Sequence, residues 1–427
     1  VRAGQQARDR AGLPPDDAFG HQLVQAAQAY GVRRDDTRSV IAGYPWFLDW
    51  GRDSLIAARG LLAAGMVDEV RQLLITFARF EDHGTLPNSI HGENAANRDT
   101  SDAPLWLGIV ADELAVRLPD PARLWDAGVD RAGRTLREVL RSIAAGYLRG
   151  TPNGIRVDPA SGLVWSPAHF TWMDTNHPAG TPREGYPVEI QALWIRLLQQ
   201  LDRLHAAPWE GDGPGWAARA EHARHSLADL FWLEDRGWLA DVLLAGPGQA
   251  ARLAVPSDAL RSNGLLAVSL DLLSGERARR MVDAAGRHLV VPGALRSLAP
   301  LPVHPPLPVR GRDGGLLNDP SHPYWGRYEG DEDTRRKPAY HNGTAWTWTF
   351  PTYCEALAKA YPGEAAARHA ARALLGSMAG LFTTGCLGQI PEILDGDAPH
   401  THRGCDAQAW GVTEALRVWR WLGDAER

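Results

Sequence analysis

The chain has 427 residues, 44% hydrophobic and 22% charged, the balance of an ordinary globular protein. A net charge of -6 excludes the basic footprint of a nucleic-acid binder. No apolar run reaches the roughly 20 residues of a membrane span, and no charged-then-apolar secretion signal opens the chain.

Apolar periodicity and cap signals predict helices over 17–30, 53–65 and 67–80, the last two parted by Gly65. Further helices are expected over 102–117, 127–148, 186–204, 214–233, 257–273, 275–287, 342–360, 363–380 and 406–422. Within 127–148, Val129, Ala132, Leu136, Val139, Leu140, Ile143 and Tyr147 share one face. Ser257 and Ser274 stand as N-caps, and Pro362-Gly363 divides the pair near the end. Twelve helices in hairpin-like pairs fit an all-α (α/α)6 barrel, a six-hairpin toroid. A helical solenoid fits that number too, but no repeat of about 34 or 40 residues is visible.

Between the helices lie 31–52, 81–101, 149–185, 234–256 and 288–341, rich in Pro, Gly, Asp, His and Trp. They are too long for connectors and are expected to wall a pocket at one end of the barrel. We read one catalytic domain over 41–427, with 1–40 as an N-terminal helix and extension belonging to the barrel. The chain holds 17 Trp against 4 Met, and Trp46, Trp50, Trp165, Trp172 and Trp325 fall in these loop-like segments. Each fits core packing, but indole faces on loops also suit stacking on a sugar ring.

Four segments hold aromatic and glycine residues together, three of them with acids among them. GYPWFLDWGRDS (Gly43–Ser54) presents Trp46 and Trp50, then enters a helix with Arg52 and Asp53 in its first turn. That pair can donate to and accept from vicinal sugar hydroxyls, although an ion-paired Asp beside an N-cap reads the same. In TWMD (Thr171–Asp174), Asp174 follows Trp172 and Met173, and Glu189 lies on the helix beyond. A carboxyl among large apolar groups loses hydration and holds its proton, as a general acid must. YHNGTAWTW (Tyr340–Trp348) is expected to open a helix capped by Asn342, with His341 and Trp346 facing the pocket. Glu392 follows a proline in the last segment, before a helix expected to begin near Cys405. A carboxylate on such a rigid loop is suited to activating water.

Glycoside hydrolysis needs two carboxyl groups flanking the scissile bond, and Asp174 and Glu392 are the candidates. Neither the acidic run Gly330–Asp333 nor the pair His400 and His402 sits in a metal-binding motif, so the acidic run is read as a solvated loop. No metal and no cofactor is expected. Cys354, Cys386 and Cys405 match no zinc spacing and are odd in number, which points to a reducing, cytoplasmic setting.

At these segments the sequence resembles the C-terminal amylo-α-1,6-glucosidase domain of glycogen debranching enzymes. The motifs run in family order: GYPWFLDWGRDS, LPNSIHGENAANRDTSDAPLW (Leu86–Trp106), TWMD…TPREGYPVEIQALW, RSNGLLAVSL, PGALRSLAP, YHNGTAW and PEILDGDAPHTHRGCDAQAWGVTEALRVW (Pro391–Trp419). The resemblance implies an (α/α)6 barrel related to glucoamylases, acting as an inverting exo-glucosidase on α-1,6-linked glucose stubs. It implies Asp174 as general acid and Glu392 as general base, with Trp50, Arg52 and Asp53 lining the terminal-glucose subsite. Asp102, Trp106, Trp172, His341 and Asn342 are expected as further pocket residues, and Glu189 as a reserve acid.

These 427 residues are expected to hold no counterpart of the transferase half of eukaryotic debranching enzymes, and Ala345 and Thr347 replace the family's apolar residue and proline around Trp346. The chain begins at Val1, which leaves room for a leader or for the upstream β-rich domain that microbial relatives carry. The expected partner is an α-glucan or oligosaccharide, with neither nucleic acid nor membrane. Three alternatives stay open: α-1,4-glucosidase, hydrolase of trehalose or another α-linked sugar, and a non-catalytic glycan-binding barrel.

Overall fold

The computed structural model describes residues 10–92, 94–175, 180–207 and 213–424. The expected N-terminal extension therefore lies partly outside it, as do residues 176–179 between TWMD and TPREGYPVEIQALW. The principal helices are α1 (Ala18–Ala27), α2 (Gly51–Ala63), α3 (Val67–Arg79), α4 (Ala103–Ala115), α5 (Leu136–Arg149) and α6 (Val188–Arg203). They continue as α7 (Trp216–Leu230), α8 (Leu265–Ser269), α9 (Gly275–His288), α10 (Thr349–Ala360), α11 (Ala365–Gly376) and α12 (Ala409–Asp424). No described helix is long and apolar enough to cross a membrane.

Two kinds of helix alternate along the chain. In α3 the buried residues include Val70, Leu73, Leu74 and Phe77; in α9 they are Ala278, Met281, Val282 and Ala285. Both follow the i, i+3, i+4, i+7 stripe of a helix with one wet face. By contrast, every residue of α2 is buried, as are all of α4 except Asp112 and Glu113. Such helices are covered on all sides. Accordingly α2, α4, α6, α8, α10 and α12 pack in that order, and α12 returns to α2, closing a cycle of six. The odd-numbered helices pack outside their neighbours: α1 on α12, α7 on α6, α9 on α10. Closure requires a glycine, because a Cβ on Gly60 would lie 2.0 Å from the Thr413 carbonyl oxygen of α12.

This alternation sorts the loops. Connections from an inner helix to the next outer one are mostly short; Gly65, at φ +77, turns α2 into α3. The outer-to-inner connections are the long segments, and they gather where the inner helices begin. Short antiparallel strands tie them together. A five-stranded sheet joins Val290–Val291, Ala294–Arg296, Ala345–Trp346, Ile393–Leu394 and His402–Arg403, in register Leu295↔Trp346↔Ile393. Asp49–Trp50 likewise pairs with Ser89–Ile90.

Several expected helices change. The 257–273 helix shrinks to α8, because Arg261 and Asn263 before it make buried tertiary bonds. Arg261 donates to the Ser297 and His341 carbonyls, and Asn263 donates to Asp241. Ser257 caps nothing; its backbone bonds to Val242 and Asp241 instead. Ser274 occupies the N-cap of α9 without a side-chain bond. The 127–148 helix starts only at Leu136, where Thr135 and Glu138 form a capping box. The helix expected from Asn342 begins at Thr349, after a turn and the Ala345–Trp346 strand, so Asn342 is no cap. The last helix begins at Ala409 rather than near Cys405.

Candidate active site

The starts of the inner helices deliver the polar side chains. Arg52 and Asp53 lie in the first turn of α2, Asp102 precedes α4, Glu189 lies in the first turn of α6, and Trp410 opens α12. Above them the long loops enclose a cavity of about 580 Å³, the size of a small-ligand site. Its wall includes Trp50, Trp172, Trp346 and Trp410, together with Arg52, Asp53, Asp174 and Glu392. Among the described residues of the wall, five carboxyl residues, Asp53, Asp99, Asp174, Glu332 and Glu392, face two cations, Arg52 and Lys337. That balance repels anions and suits a neutral, hydroxyl-rich ligand.

Asp174 keeps 32% side-chain exposure, so it can reach a ligand. Arg52 Nη1 lies 3.3 Å from its Oδ2, and Arg52 is itself clamped by Asp102 at 2.7 Å. Burial pushes the Asp174 carboxyl above its ordinary range, Arg52 pulls it back, and Asp102 raises it again. Glu392 is held by the Tyr340 hydroxyl, which donates to Oε1 at 2.5 Å, and by the Cys405 amide, which donates to Oε2 at 2.8 Å. Burial lifts its pKa to about 7; the two donors oppose that rise, and Asp174 adds to it. Asp53 also rises to about 7, first through burial and then through Asp174 and Glu392, against the pull of Arg52.

Of the residues expected to touch a ligand, Trp50, Arg52, Asp53, Trp172, Asp174 and Glu392 share this cavity. Asp102, Trp106, Glu189, His341 and Asn342 do not line it; they lie behind it as supports. Glu189 gives both oxygens to Arg183, at 2.5 and 2.7 Å. That bidentate pair makes it a poor reserve acid, since a proton there would break two charge-assisted bonds. Arg183 also binds Asp241, Asp241 accepts from Asn263, and Asn263 accepts the Trp172 indole N–H at 2.7 Å. The network therefore fixes the tryptophan two residues before Asp174. From the other side His341 Nδ1 bonds Thr175 Oγ1 at 2.9 Å. His341 is fully buried, and burial followed by Arg261 and Arg183 holds it neutral. Asn342 accepts from Arg261 and donates to the Pro338 carbonyl. Trp106 lines a smaller cavity underneath, with Arg59 over its ring.

Tyr340, Arg183, Phe47 and Trp410 were missed as site residues, although the quoted motifs contain all four. Only the fold shows that Tyr340, rather than the adjacent histidine, faces Glu392. Trp165 donates to the Ala245 carbonyl away from this cavity. The acidic run is not simply a solvated loop: Asp331 caps the following turn, Asp333 pairs with Arg312 and Lys337, and Glu332 reaches the cavity rim.

The amylo-alpha-1,6-glucosidase family matches residues 21–304 and 315–417. A glycogen debranching enzyme of Saccharomyces cerevisiae is 21% identical over 76% of this chain, which spans only 25% of that enzyme's length. Among solved structures, an uncharacterized conserved protein of Thermus thermophilus superposes with TM-score 0.59 at 15% identity, covering 93% of this chain and 98% of its own. A neutral trehalase of Saccharomyces cerevisiae gives 0.53 at 13% identity, over 96% and 82%. At such identities the structural likenesses speak for the fold alone. The family match spans nearly the whole chain and includes every wall residue named above: the chain belongs to the amylo-alpha-1,6-glucosidase family and is a glycoside hydrolase.

Proposed function

We propose that this chain removes α-1,6-linked glucose stubs from branched α-glucan, as an inverting exo-acting glucosidase on an (α/α)6 barrel. The observation carrying this reading is that Asp174 and Glu392, remote in sequence, line one tryptophan-walled cavity. Protonated Asp174 donates to the glycosidic oxygen, and Arg52 then stabilises the carboxylate left behind. Glu392 takes a proton from the water that attacks the anomeric carbon on the opposite face. Its pKa of about 7 suits a base working near neutrality, and the Tyr340 hydroxyl and Cys405 amide hold its oxygens in place. In this reading Arg52 and Asp53, which line the cavity, bind the hydroxyls of the terminal glucose, and Trp50 and Trp172 cover its apolar face.

The free thiols of Cys354, Cys386 and Cys405 support a cytoplasmic setting. Likeness to a trehalase keeps trehalose as the second substrate to test. Incubation with a dextrin carrying single α-1,6-glucosyl stubs, isomaltose, maltose and trehalose should release glucose from the first two, with β-glucose as the first anomer seen by polarimetry. Release from maltose or trehalose but not from the stub dextrin would overturn the bond assignment; α-glucose first would overturn inversion.

A further inference from the structure

We propose that the turn Gly43–Leu48 is a docking platform for the linear main chain of an α-glucan, with Trp46 stacking on its sugar rings outside the cavity. Trp46 is 57% exposed and is the only exposed tryptophan among the described residues. Tyr44 and Leu48 beside it are 39% and 49% exposed, so three of the eight large exposed hydrophobics among the described residues fall within five positions. Such clustering is a patch rather than the usual scatter.

The patch is held stiffly. Ala42 donates to the Leu48 carbonyl at 2.8 Å, and Phe47 donates to the Gly43 carbonyl at 2.9 Å. The Tyr44 hydroxyl donates to the Ala29 carbonyl, and Gly43–Tyr44 pairs with Ala407–Gln408. An aromatic surface fixed in advance loses little entropy on binding.

The patch is also continuous with the cavity. The Trp46 ring meets Phe47 edge-on at 6.4 Å, Phe47 meets Trp50 at 6.3 Å, and both Phe47 and Trp50 line the cavity wall. A cavity of about 580 Å³ holds the end of a chain, so the remainder of a polymer must cross its lip. Residues 43–48 carry no charge, which favours a neutral glucan over a phosphorylated or basic partner.

This inference rests on the branched-glucan reading, and the test separates the two. Wild type and Trp46→Ala are compared on isomaltose and on a linear dextrin carrying single α-1,6-glucosyl stubs, and Asp174→Asn with and without Trp46→Ala is titrated with maltoheptaose by calorimetry. The expected result is a roughly tenfold fall in the stub-dextrin to isomaltose ratio of kcat/KM, carried by KM, with maltoheptaose binding weakened about as much. Trp46→Phe should recover part of both. A ratio and a maltoheptaose affinity each within twofold of the unsubstituted parent would overturn the platform. So would ultracentrifugation showing a dimer that Trp46→Ala dissolves, since the patch would then serve a second copy. If wild type cleaves neither α-1,6 substrate, the enzyme reading falls, and the maltoheptaose titration still decides the platform.

Discussion

The two ends of the inner helix ring bury carboxyl groups equally well and treat them oppositely. At the far end, burial pushes Glu355 up, but Arg417, Lys359 and Arg59 more than reverse it and bring its pKa to about 2. Arg417 reaches its two oxygens at 3.2 and 2.8 Å, and Ser269 adds a bond at 2.7 Å. At the cavity end, Asp53 and Glu392 rise to about 7, with Arg52 the nearest cation of α2. Helix N-termini favour anions by about 0.3–1 kcal/mol, while one pKa unit corresponds to about 1.4 kcal/mol. The helix starts therefore cannot offset burial, and the number of nearby cations decides the outcome. Completed ion pairs at the far end hold the ring together; at the cavity end Asp102 and Glu189 are paired behind the wall, while Asp53 and Glu392 on it are under-neutralised and stay able to exchange protons.

The comparison breaks most sharply under substitution of the two proposed catalytic groups. Asp174→Asn and Glu392→Gln should each lower kcat on a dextrin with α-1,6-glucosyl stubs by about 10³-fold or more while leaving glucose binding within a few fold. Retention of a tenth of the activity by either variant would remove that residue from its role.

At the far end the expected loss is in stability. Glu355→Ala leaves Arg417 short of a buried partner and should cost about 3–5 kcal/mol in urea unfolding at pH 7, with kcat per folded molecule unchanged. Glu355 titrates at about 2 when folded and about 4.3 when unfolded, so its contribution is complete above the unfolded value and disappears as pH falls toward 2. The gap between wild type and variant should narrow at pH 3. An equal gap at both pH values would assign the loss to packing.

A smaller effect sharpens the cavity end. The Tyr340 hydroxyl favours the ionised form of Glu392, so Tyr340→Phe should raise the pKa of that carboxyl. The acidic limb of the kcat/KM profile should move upward by about one pH unit, with kcat near neutrality down about tenfold and partly restored at higher pH. A uniform loss at every pH would make Tyr340 a packing residue only.

Much of this organisation was legible in the chain. The stripes of α3 and α9 are local patterns, written in residues three and four apart. The carboxyl candidates stand out because Asp174 follows Trp172 and Met173 in a segment too long to be a connector, and Glu392 follows a proline in a glycine-rich loop. Less legible were positions where a distant partner overrides local preference. His341 and Asn342 read as pocket residues, yet Thr175 and Arg261 hold them behind the wall and Tyr340 takes the place at Glu392.

Residue order alone thus determined most of the stretches that coil, though not where α5, α8, α10 and α12 begin, and also which loops carry acids. Tertiary structure decided which acids lose water together and which of them have a cation within reach. Hydration and charge pairing depend on distances through space, and closing the helix ring sets those distances between residues hundreds of positions apart.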